Sequence, residues 1–333
     1  MGDTMRKRDD LPGATRLEAQ GLAWLAEAMP DGGAHTVPAV VGDGWIDEPR
    51  LSRSTVTPQA AEAFGRALAV THAAGAPAFG SAPPGWDGRT QMGRCDIRLR
   101  PHSPDSDQRT WGEFYAEDRL APYVRSGYDR GALDAAQVRL LEAVCRRLRD
   151  GELGEEQPAL VLSGARERGQ TTAVARTHGD LWCGNVLWVP SSEVAAWAPG
   201  GAGRGPARTP DHGSAPGSEP GSGRRTGPTS HPASHLDGEQ GAAAGAGPGT
   251  GVVGVLIDPL AHGAHAETDL AALGVFGQRH LDRIVGAYNE VSPLAPGWRE
   301  RVGLHQLHIL MIHVHLFGGG YGSQAASVAR SYA

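Results

Sequence analysis

The chain has 333 residues, of which 40% are hydrophobic, so it can bury the core of one large domain or two smaller ones. A formal net charge of −6 without a basic stripe argues against a nucleic-acid partner. No stretch approaches the ~20 apolar residues of a membrane span, and the charged N-terminus lacks the apolar core of a signal peptide. We therefore expect a soluble, cytoplasmic protein with no membrane partner.

The first 51 residues have the pattern of a small α+β unit. Apolar residues recur at helical spacing from Leu17 to Met29, which predicts a helix that ends at Pro30. The run from His35 to Asp47 is short, rich in β-branched residues and interrupted by Pro and Gly, which predicts strands joined by a turn. We expect this small lobe, residues 1–51, to precede a larger lobe, residues 52–333.

The larger lobe is predicted to be mainly helical, because its apolar residues recur at helical spacing in several runs. The predicted helices are Ala61 to Ala74, Trp111 to Ser126, Asp134 to Asp150, Thr268 to Phe276, His280 to Glu290 and Val302 to Phe317. Phe79 to Asp107, rich in Gly, Pro and polar residues, is predicted as a long loop. The polar stretch from Ala159 to Arg176 is predicted as a surface loop, and so is Gly318 to Gly322.

Residues 191–250 differ from the rest of the chain in composition. This segment is dominated by Gly, Ser, Pro and Ala and has almost no large apolar residues, so it cannot bury enough surface to offset the entropy of ordering. We predict a disordered insertion. The apolar runs on either side, Asn185 to Val189 and Gly251 to Ile257, are predicted to pair as an antiparallel hairpin.

The sequence HGDLWCGN, residues 178–185, carries the strongest chemical signal. In kinase-type phosphoryl transfer, a loop Asp accepts the proton of the attacking hydroxyl, and an Asn on the same loop helps to hold the metal. Asp180 and Asn185 have that spacing, although Asp and Asn also cap backbone groups in ordinary turns. The hairpin would bring Asp258 beside the loop, where a carboxylate can hold magnesium. Its other interpretation is a turn-starting Asp before Pro259.

These residues resemble the fructosamine kinase (ketosamine-3-kinase) family, which is related to the aminoglycoside phosphotransferases. The resemblance is carried by HGDLWCGNVLW, IDP, HAETDLAALGVFG, YNEVSPLAPGWRERVGLHQLH and LFGGGYGSQA, and extends from about Pro12 to Tyr332 outside the insertion. It implies an α+β, two-lobed protein-kinase-like fold with a small ATP-binding lobe and a larger helical lobe. It also implies ATP and Mg²⁺ as cofactors and a ketosamine, formed by glycation of an amine, as substrate.

Carried over by position, the resemblance makes Asp180 the catalytic base and makes Asn185 and Asp258 the magnesium ligands. It pairs Lys7 with Glu18 as the ion pair that grips ATP. By itself, a Lys in a charged N-terminal run such as MRKRDD is more often a solvated surface residue.

The same carry-over assigns the connector between the lobes and the walls of the acceptor pocket. The connector, whose backbone would bind adenine, is expected at Asp47, Glu48 and Leu51. The pocket is expected to include His178, Trp182, Asp269, His313 and Tyr321. Within this set, His178 is expected to shape the loop, and Asp269 to cap the helix that follows.

The sequence departs from the family at its start. Relatives have about one more hairpin, the Gly-rich cover over the ATP phosphates, before the strand that carries the Lys. We expect either a start codon assigned too late or a truncated lobe. Three functions stay open: a ketosamine kinase, a phosphotransferase for another hydroxyl acceptor such as an aminoglycoside or choline-like compound, and an inactive kinase-like binding module. A monomer or weak homodimer is expected.

Overall fold

The computed structural model of the chain describes residues 3–88, 90–92, 94–103, 109–195, 197 and 251–333. The strands are β1 (Thr4–Arg8), β2 (His35–Thr36), β3 (Val40–Gly42), β4 (Trp45–Pro49), β5 (Thr90–Met92), β6 (Cys95–Ile97), β7 (Ala175–Thr177), β8 (Val186–Pro190), β9 (Val252–Leu256) and β10 (His262–Ala264). The helices are α1 (Ala14–Ala26), α2 (Pro58–Ala73), α3 (Trp111–Phe114), α4 (Ala121–Asp129), α5 (Ala135–Arg149), α6 (Ala159–Glu167), α7 (Ser191–Ala195), α8 (Ala266–Val275), α9 (Leu281–Val291), α10 (Trp298–Phe317) and α11 (Gly320–Ala329). A π-helical turn, Tyr115–Leu120, joins α3 to α4.

The N-terminal part is a three-stranded antiparallel sheet with β4 between β1 and β3, packed against α1. The predicted strands and helix are confirmed, although α1 begins three residues before Leu17. Its apolar face contributes Leu22 to a core with Ile46 of β4 and Val255 of β9. The small sheet, α1 and the strand that leads into the predicted metal-binding residue therefore share one core.

The predicted hairpin is confirmed. Strands β8 and β9 pair antiparallel, from Val186 opposite Leu256 to Pro190 opposite Val252, and β2 adds to β9 in parallel. This register places the start of β8 beside the end of β9, which brings Asn185 and Asp258 to the same edge. The predicted insertion begins with the short helix α7, in which Val194 is buried. Residues 198–250, which make up most of that prediction, lie outside the described residues.

The helical part is organised around α2 and α10. Helix α2 begins at the N-cap Thr57 and packs against α6 and α9, and Gly65 allows the close approach to α9, since a Cβ there would lie 2.1 Å from the Ile284 carbonyl oxygen. Helix α10 packs against α4, α8 and α11. Among the described residues, none of the helices combines the length and the apolar character that crossing a bilayer requires.

Three loop predictions were wrong in part. The segment predicted as one loop contains the hairpin β5–β6, whose strands are only three residues long and too polar to give a strand pattern. The Ala159 to Arg176 stretch begins with α6, which buries only Val161 and Ala165, so its exposed face made it look like a loop. Gly320 begins α11, whose buried face consists of Gly and Ala residues that carry little hydrophobic signal.

Candidate active site

A cleft of about 430 Å³ separates the N-terminal part from the helical part. Its lining comes from the loop after β1, from α1, from β5 and from the ends of the segments that carry the HGD and IDP motifs. Asp180 and Asp258 both line it, as does Glu18. A larger cavity of about 500 Å³ lies between β6 and α4, but it does not include these residues.

The loop 178–185, here called the Asp180 loop, is held from behind by a buried carboxylate. Asp269 accepts hydrogen bonds from the backbone N–H groups of His178 (2.6 Å) and Gly179 (3.0 Å), and it contacts His72 Nε2 (3.2 Å). Burial acts to raise the pKa of Asp269, but the contacts with His72 and His178 together outweigh it and the pKa is lowered. Gly179 has φ +81°, and a Cβ there would lie 2.1 Å from the Leu260 carbonyl oxygen. Only glycine fits this turn.

His178 connects the Asp180 loop to the strand that precedes Asp258. Its Nε2 lies 2.9 Å from the carbonyl oxygen of Ile257 and therefore carries the proton, while Nδ1 accepts the backbone N–H of Asp180 (3.3 Å). Burial lowers the pKa of His178, which favours this neutral ring. The ring is buried, so it shapes the loop rather than facing an acceptor.

Asn185, the last residue of the Asp180 loop, donates hydrogen bonds back to Asp180. Its Nδ2 donates to the Asp180 backbone oxygen (2.8 Å) and to Asp180 Oδ2 (3.2 Å). Burial raises the pKa of Asp180 to about 7; the Asn185 hydrogen bond opposes this shift, whereas the negative charges of Asp258 and Asp269 add to it. A carboxylate with a pKa near neutrality is suited to accept and release a proton at physiological pH.

Asp258 follows β9 with φ 51°, a left-handed conformation that Asp adopts more readily than most residues. Its carboxylate contacts Lys7 Nζ, which also lies 2.6 Å from Glu18 Oε1 and 2.9 Å from Glu48 Oε2. We call these four residues the Lys7 cluster. The structure thus brings together the Lys7 and Glu18 pair that the resemblance implied, and adds Glu48.

One proton is shared within the Lys7 cluster. Burial raises the pKa of Glu18 to about 8, and repulsion from Asp258 contributes. Burial also acts to raise the pKa of Asp258, but Lys7 and a hydrogen bond from Glu18 outweigh it and the pKa is lowered. Glu18 therefore carries the proton that Asp258 accepts.

Two groups of side chains in the described part of the chain have the spacing of metal ligands. The first, Glu18, Glu48 and Asp258, is the acidic half of the Lys7 cluster. The second is His265, Glu267 and His305, all buried. The Glu267 carboxylate already binds Arg301 through two nitrogens (2.7 and 3.1 Å), so we interpret this second group as a structural network.

Aromatic side chains extend from the Asp180 loop across the adjacent surface. Trp182 contacts Phe276 edge-on (ring centroids 5.8 Å apart), and Phe276 contacts His313 (5.2 Å). His313 in turn contacts Phe317 (5.5 Å) and Tyr321 (5.0 Å). We call these five residues the aromatic row. Its two phenylalanines, which the sequence interpretation missed, are exposed, and the first of them lies in the GVFG run.

The structure places the predicted connector residues within and just after β4. Asp47 and Glu48 lie within β4, where Asp47 faces Arg6 and Val40 on either side and binds the Arg6 side chain (2.6 and 2.7 Å). Asp47 has a strand neighbour on both sides, whereas Glu48 lies opposite Met5 of β1 alone, so adenine binding by this segment stays a prediction. Leu51, just after β4, packs on the small core.

Asp269 does not cap its helix. Helix α8 begins at Ala266, and its N-cap is His265, whose ring accepts the backbone N–H of Glu267. The side chain of Asp269 is turned away from the helix end to the Asp180 loop, and it is fully enclosed rather than lining an open acceptor pocket.

This architecture, a small sheet and helix over a helical body with a catalytic-type loop and a hairpin between them, defines a protein-kinase-like fold. A sequence model of the fructosamine kinase family matches residues 17–200 and 243–332. A solved structure of a candidate fructosamine-3-kinase from Thermobifida fusca is 33% identical and superposes with a TM-score of 0.65, covering 99% of this chain and 85% of that one. The chain belongs to the fructosamine kinase family.

Other matches have lower identity or cover less of the chain. A candidate fructosamine-3-kinase from Haemophilus somnus shares the fold at 15% identity and a TM-score of 0.58. A candidate ketoamine kinase from Synechocystis is 26% identical over 267 residues, 80% of this chain, and mouse ketosamine-3-kinase is 31% identical over 77 residues, 23% of this chain. The chain spans 60% of the length of the Synechocystis protein and 25% of that of the mouse protein.

Proposed function

We propose that the protein is an ATP-dependent kinase that phosphorylates a sugar hydroxyl of a ketosamine. The observation that carries the proposal is the position of Asp180: a carboxylate with a pKa near neutrality lines the cleft, bonded to Asn185, with Asp258 on the same cleft. Family membership supports the same activity, and relatives carry the names ketoamine kinase and ketosamine-3-kinase.

Asp180 would accept the proton of the attacking hydroxyl as that oxygen bonds to the γ-phosphorus of ATP and ADP leaves. Asn185 and Asp258 offer amide and carboxylate oxygens, the ligand type that Mg²⁺ prefers. The charge of Asp258 contributes to the raised pKa of Asp180, so the site has an excess of negative charge that a divalent cation would offset. Bound magnesium would neutralise phosphate charge, and Asn185 and Asp258 would position it.

Lys7 would bind phosphate oxygens, and Glu18 would orient it. In the structure its ammonium contacts three carboxylates, so a nucleotide phosphate has to replace at least the Asp258 contact. That exchange also frees Asp258 for the metal. The Lys7 cluster is therefore consistent with a resting arrangement that nucleotide binding rearranges.

The aromatic row is our candidate wall for the acceptor. Trp182 lies two residues after Asp180, and an aromatic face can pack against a sugar ring while the neighbouring rings contact the substituent on its amine. The exposed side chains of Phe276 and Phe317 continue this surface away from the cleft. Small ketosamines and glycated lysine side chains both fit a site of this form.

A substrate panel tests the proposal. ADP formation is measured with Mg·ATP and fructose-lysine, ribulose-lysine, several aminoglycosides and choline. We expect turnover with at least one ketosamine and none without magnesium. Turnover with only aminoglycosides or choline would contradict a ketosamine substrate and would indicate that acceptor instead. Thermal stabilisation by Mg·ATP with no turnover on any acceptor would instead indicate the binding module.

A further inference from the structure

A small cavity lies beside Gly179 of the Asp180 loop, between that loop, β10 and α10. It measures about 10 Å³, room for roughly one water-sized particle. Its lining includes Gly179 of the loop, Thr177 of β7 and three basic side chains, Arg119, His262 and His308. All three basic side chains are buried.

Arg119 is buried, and no carboxylate in the part of the chain that the structure describes accepts a hydrogen bond from it. Its Nη1 donates to the backbone oxygens of Arg98 (2.9 Å) and Asp118 (3.4 Å), and its guanidinium lies over the Phe114 ring (4.6 Å). Its Nε and Nη2 have no hydrogen-bond partner, although only 1% of the residue is exposed. Burying a cation in this way is costly unless something satisfies it.

The Nε and Nη2 atoms form the edge of a guanidinium that binds carboxylates side by side. This chain uses that edge in Arg6 on Asp47, Arg100 on Asp118 and Arg301 on Glu267. In Arg119 the same edge has no anionic partner. The nearest carboxylate in sequence, Asp118, is bound to Arg100 and Arg109 (2.9 to 3.1 Å).

We propose that the Nε and Nη2 edge of Arg119 binds one small monovalent anion, such as chloride, in this cavity, beside His262 and His308. This site is independent of the proposed function. A water molecule could satisfy the hydrogen bonds of the guanidinium but would add no negative charge, and Asp118 already serves Arg100 and Arg109, which is why the structure favours an anion.

The charge of Arg119 contributes to lowered pKa values at the two neighbouring histidines. Burial, followed by the positive charge of Arg119, lowers the pKa of His262 to about 3 and lowers the pKa of His308 well below its ordinary value. His308 Nδ1 donates to the Arg119 carbonyl oxygen (3.1 Å), so its Nε2 is an acceptor, and the group that an anion would bind is the Arg119 guanidinium. An anion on Arg119 would offset the positive charge that both rings face.

Bromide is the crystallographic probe, because it replaces chloride and scatters anomalously. Crystals of the full chain are grown or soaked in sodium bromide, with matched crystals in sodium gluconate. We expect one anomalous peak at hydrogen-bond distance from both Nε and Nη2 of Arg119. Density for water alone at Arg119 in bromide would overturn the proposal.

Thermal melting tests the site in solution. At equal ionic strength, sodium bromide at ten times its dissociation constant is expected to raise Tm by about 2–4 °C over sodium gluconate. Arg119→Met removes the charge at similar volume and should abolish this difference, whereas Arg125→Met, at an exposed arginine of α4, should keep it. If Arg119→Met does not fold, Arg119→Gln, which lacks both the charge and the edge, replaces it. An equal bromide shift in the parent and the Arg119 variant contradicts the site.

Discussion

Two acidic groups meet at the cleft, and they are held in different ways. The Asp180 loop is fixed by short hydrogen bonds between neutral backbone groups and a buried carboxylate, Asp269. The Lys7 cluster is held by ion pairs and hydrogen bonds between one ammonium and three acidic side chains, two of which are partly exposed. Only the second arrangement has partners that a phosphate or metal ion could replace one at a time.

In the proposed phosphoryl transfer, this difference would separate two tasks. A base has to stay in place while the proton moves, so its loop benefits from rigid, desolvated hydrogen bonds. Phosphate and metal ligands have to exchange partners when nucleotide enters and leaves. We expect substitutions in the Asp180 loop to affect rate and folding, and substitutions in the Lys7 cluster to affect nucleotide binding, salt dependence and pH dependence.

The largest effect is expected from Asp180→Asn. Removing a general base costs about 10²–10⁴ in turnover, and the amide preserves the size of the side chain. Because the base must be deprotonated, kcat/KM of the parent should rise with pH through about 7. The measurement is the initial rate of ADP formation from pH 5.5 to 9. Asp129→Asn, at an exposed position of α4, is the control, and full activity in Asp180→Asn would exclude this base.

Asp269→Asn tests the rigid side of the comparison. The Asn amide brings an NH₂ group towards the three groups that now contact the carboxylate, His72 Nε2 and the backbone N–H groups of His178 and Gly179. The two buried N–H groups lose a charged acceptor. We expect this loss to cost about 2–4 kcal/mol in the free energy of unfolding. Urea denaturation measures this loss. Because the pKa of Asp269 is lowered on folding, its contribution is present above its unfolded pKa and is lost as pH falls through the folded value.

Asp282→Asn, at an exposed position in the first turn of α9, is the matched control for Asp269→Asn and should change stability by less than about 0.5 kcal/mol. Equal losses in the two variants would mean that Asp269 does not support the loop. A stable Asp269→Asn variant with normal turnover would contradict the argument more strongly, since neither folding nor rate would then depend on this carboxylate.

The sequence predicted the hairpin because two apolar runs flank a segment that cannot join the core. It could not predict the role of Asp269, since an acidic residue in the first turn of a helix ordinarily stabilises that helix end, and only the tertiary structure shows His178 and Gly179 beside it. The position of Asp47 and Glu48 within a strand could not be predicted for a related reason. Their strand, WIDEP, is short and charged, and its position in the middle of a sheet depends on pairing with both β1 and β3.

Lys7→Met tests the exchangeable side of the comparison. It leaves the buried carboxylate of Glu48 without its cation, at a cost of about 2 kcal/mol in the free energy of unfolding, less than for Asp269→Asn because the cluster is partly solvated. We also expect weaker Mg·ATP binding. Urea denaturation at low and high salt and nucleotide titration are the measurements. Salt should reduce the difference between parent and variant, and a salt-independent difference would mean that the charge contacts contribute little.

The smallest effect is expected from Glu18→Gln, because the amide imitates the protonated carboxyl group that binds Asp258. Folding raises the pKa of Glu18 from its ordinary value to about 8, so the parent loses stability as pH rises between these values, whereas the variant does not. The variant should match the parent near pH 4.5 and exceed it by about 1 kcal/mol at pH 8, after allowance for solvent screening. Chemical denaturation across this range measures the difference. If the parent gained stability relative to the variant with rising pH, Glu18 would be ionised in its ion pair with Lys7, and the shared proton would have to be placed elsewhere in the Lys7 cluster.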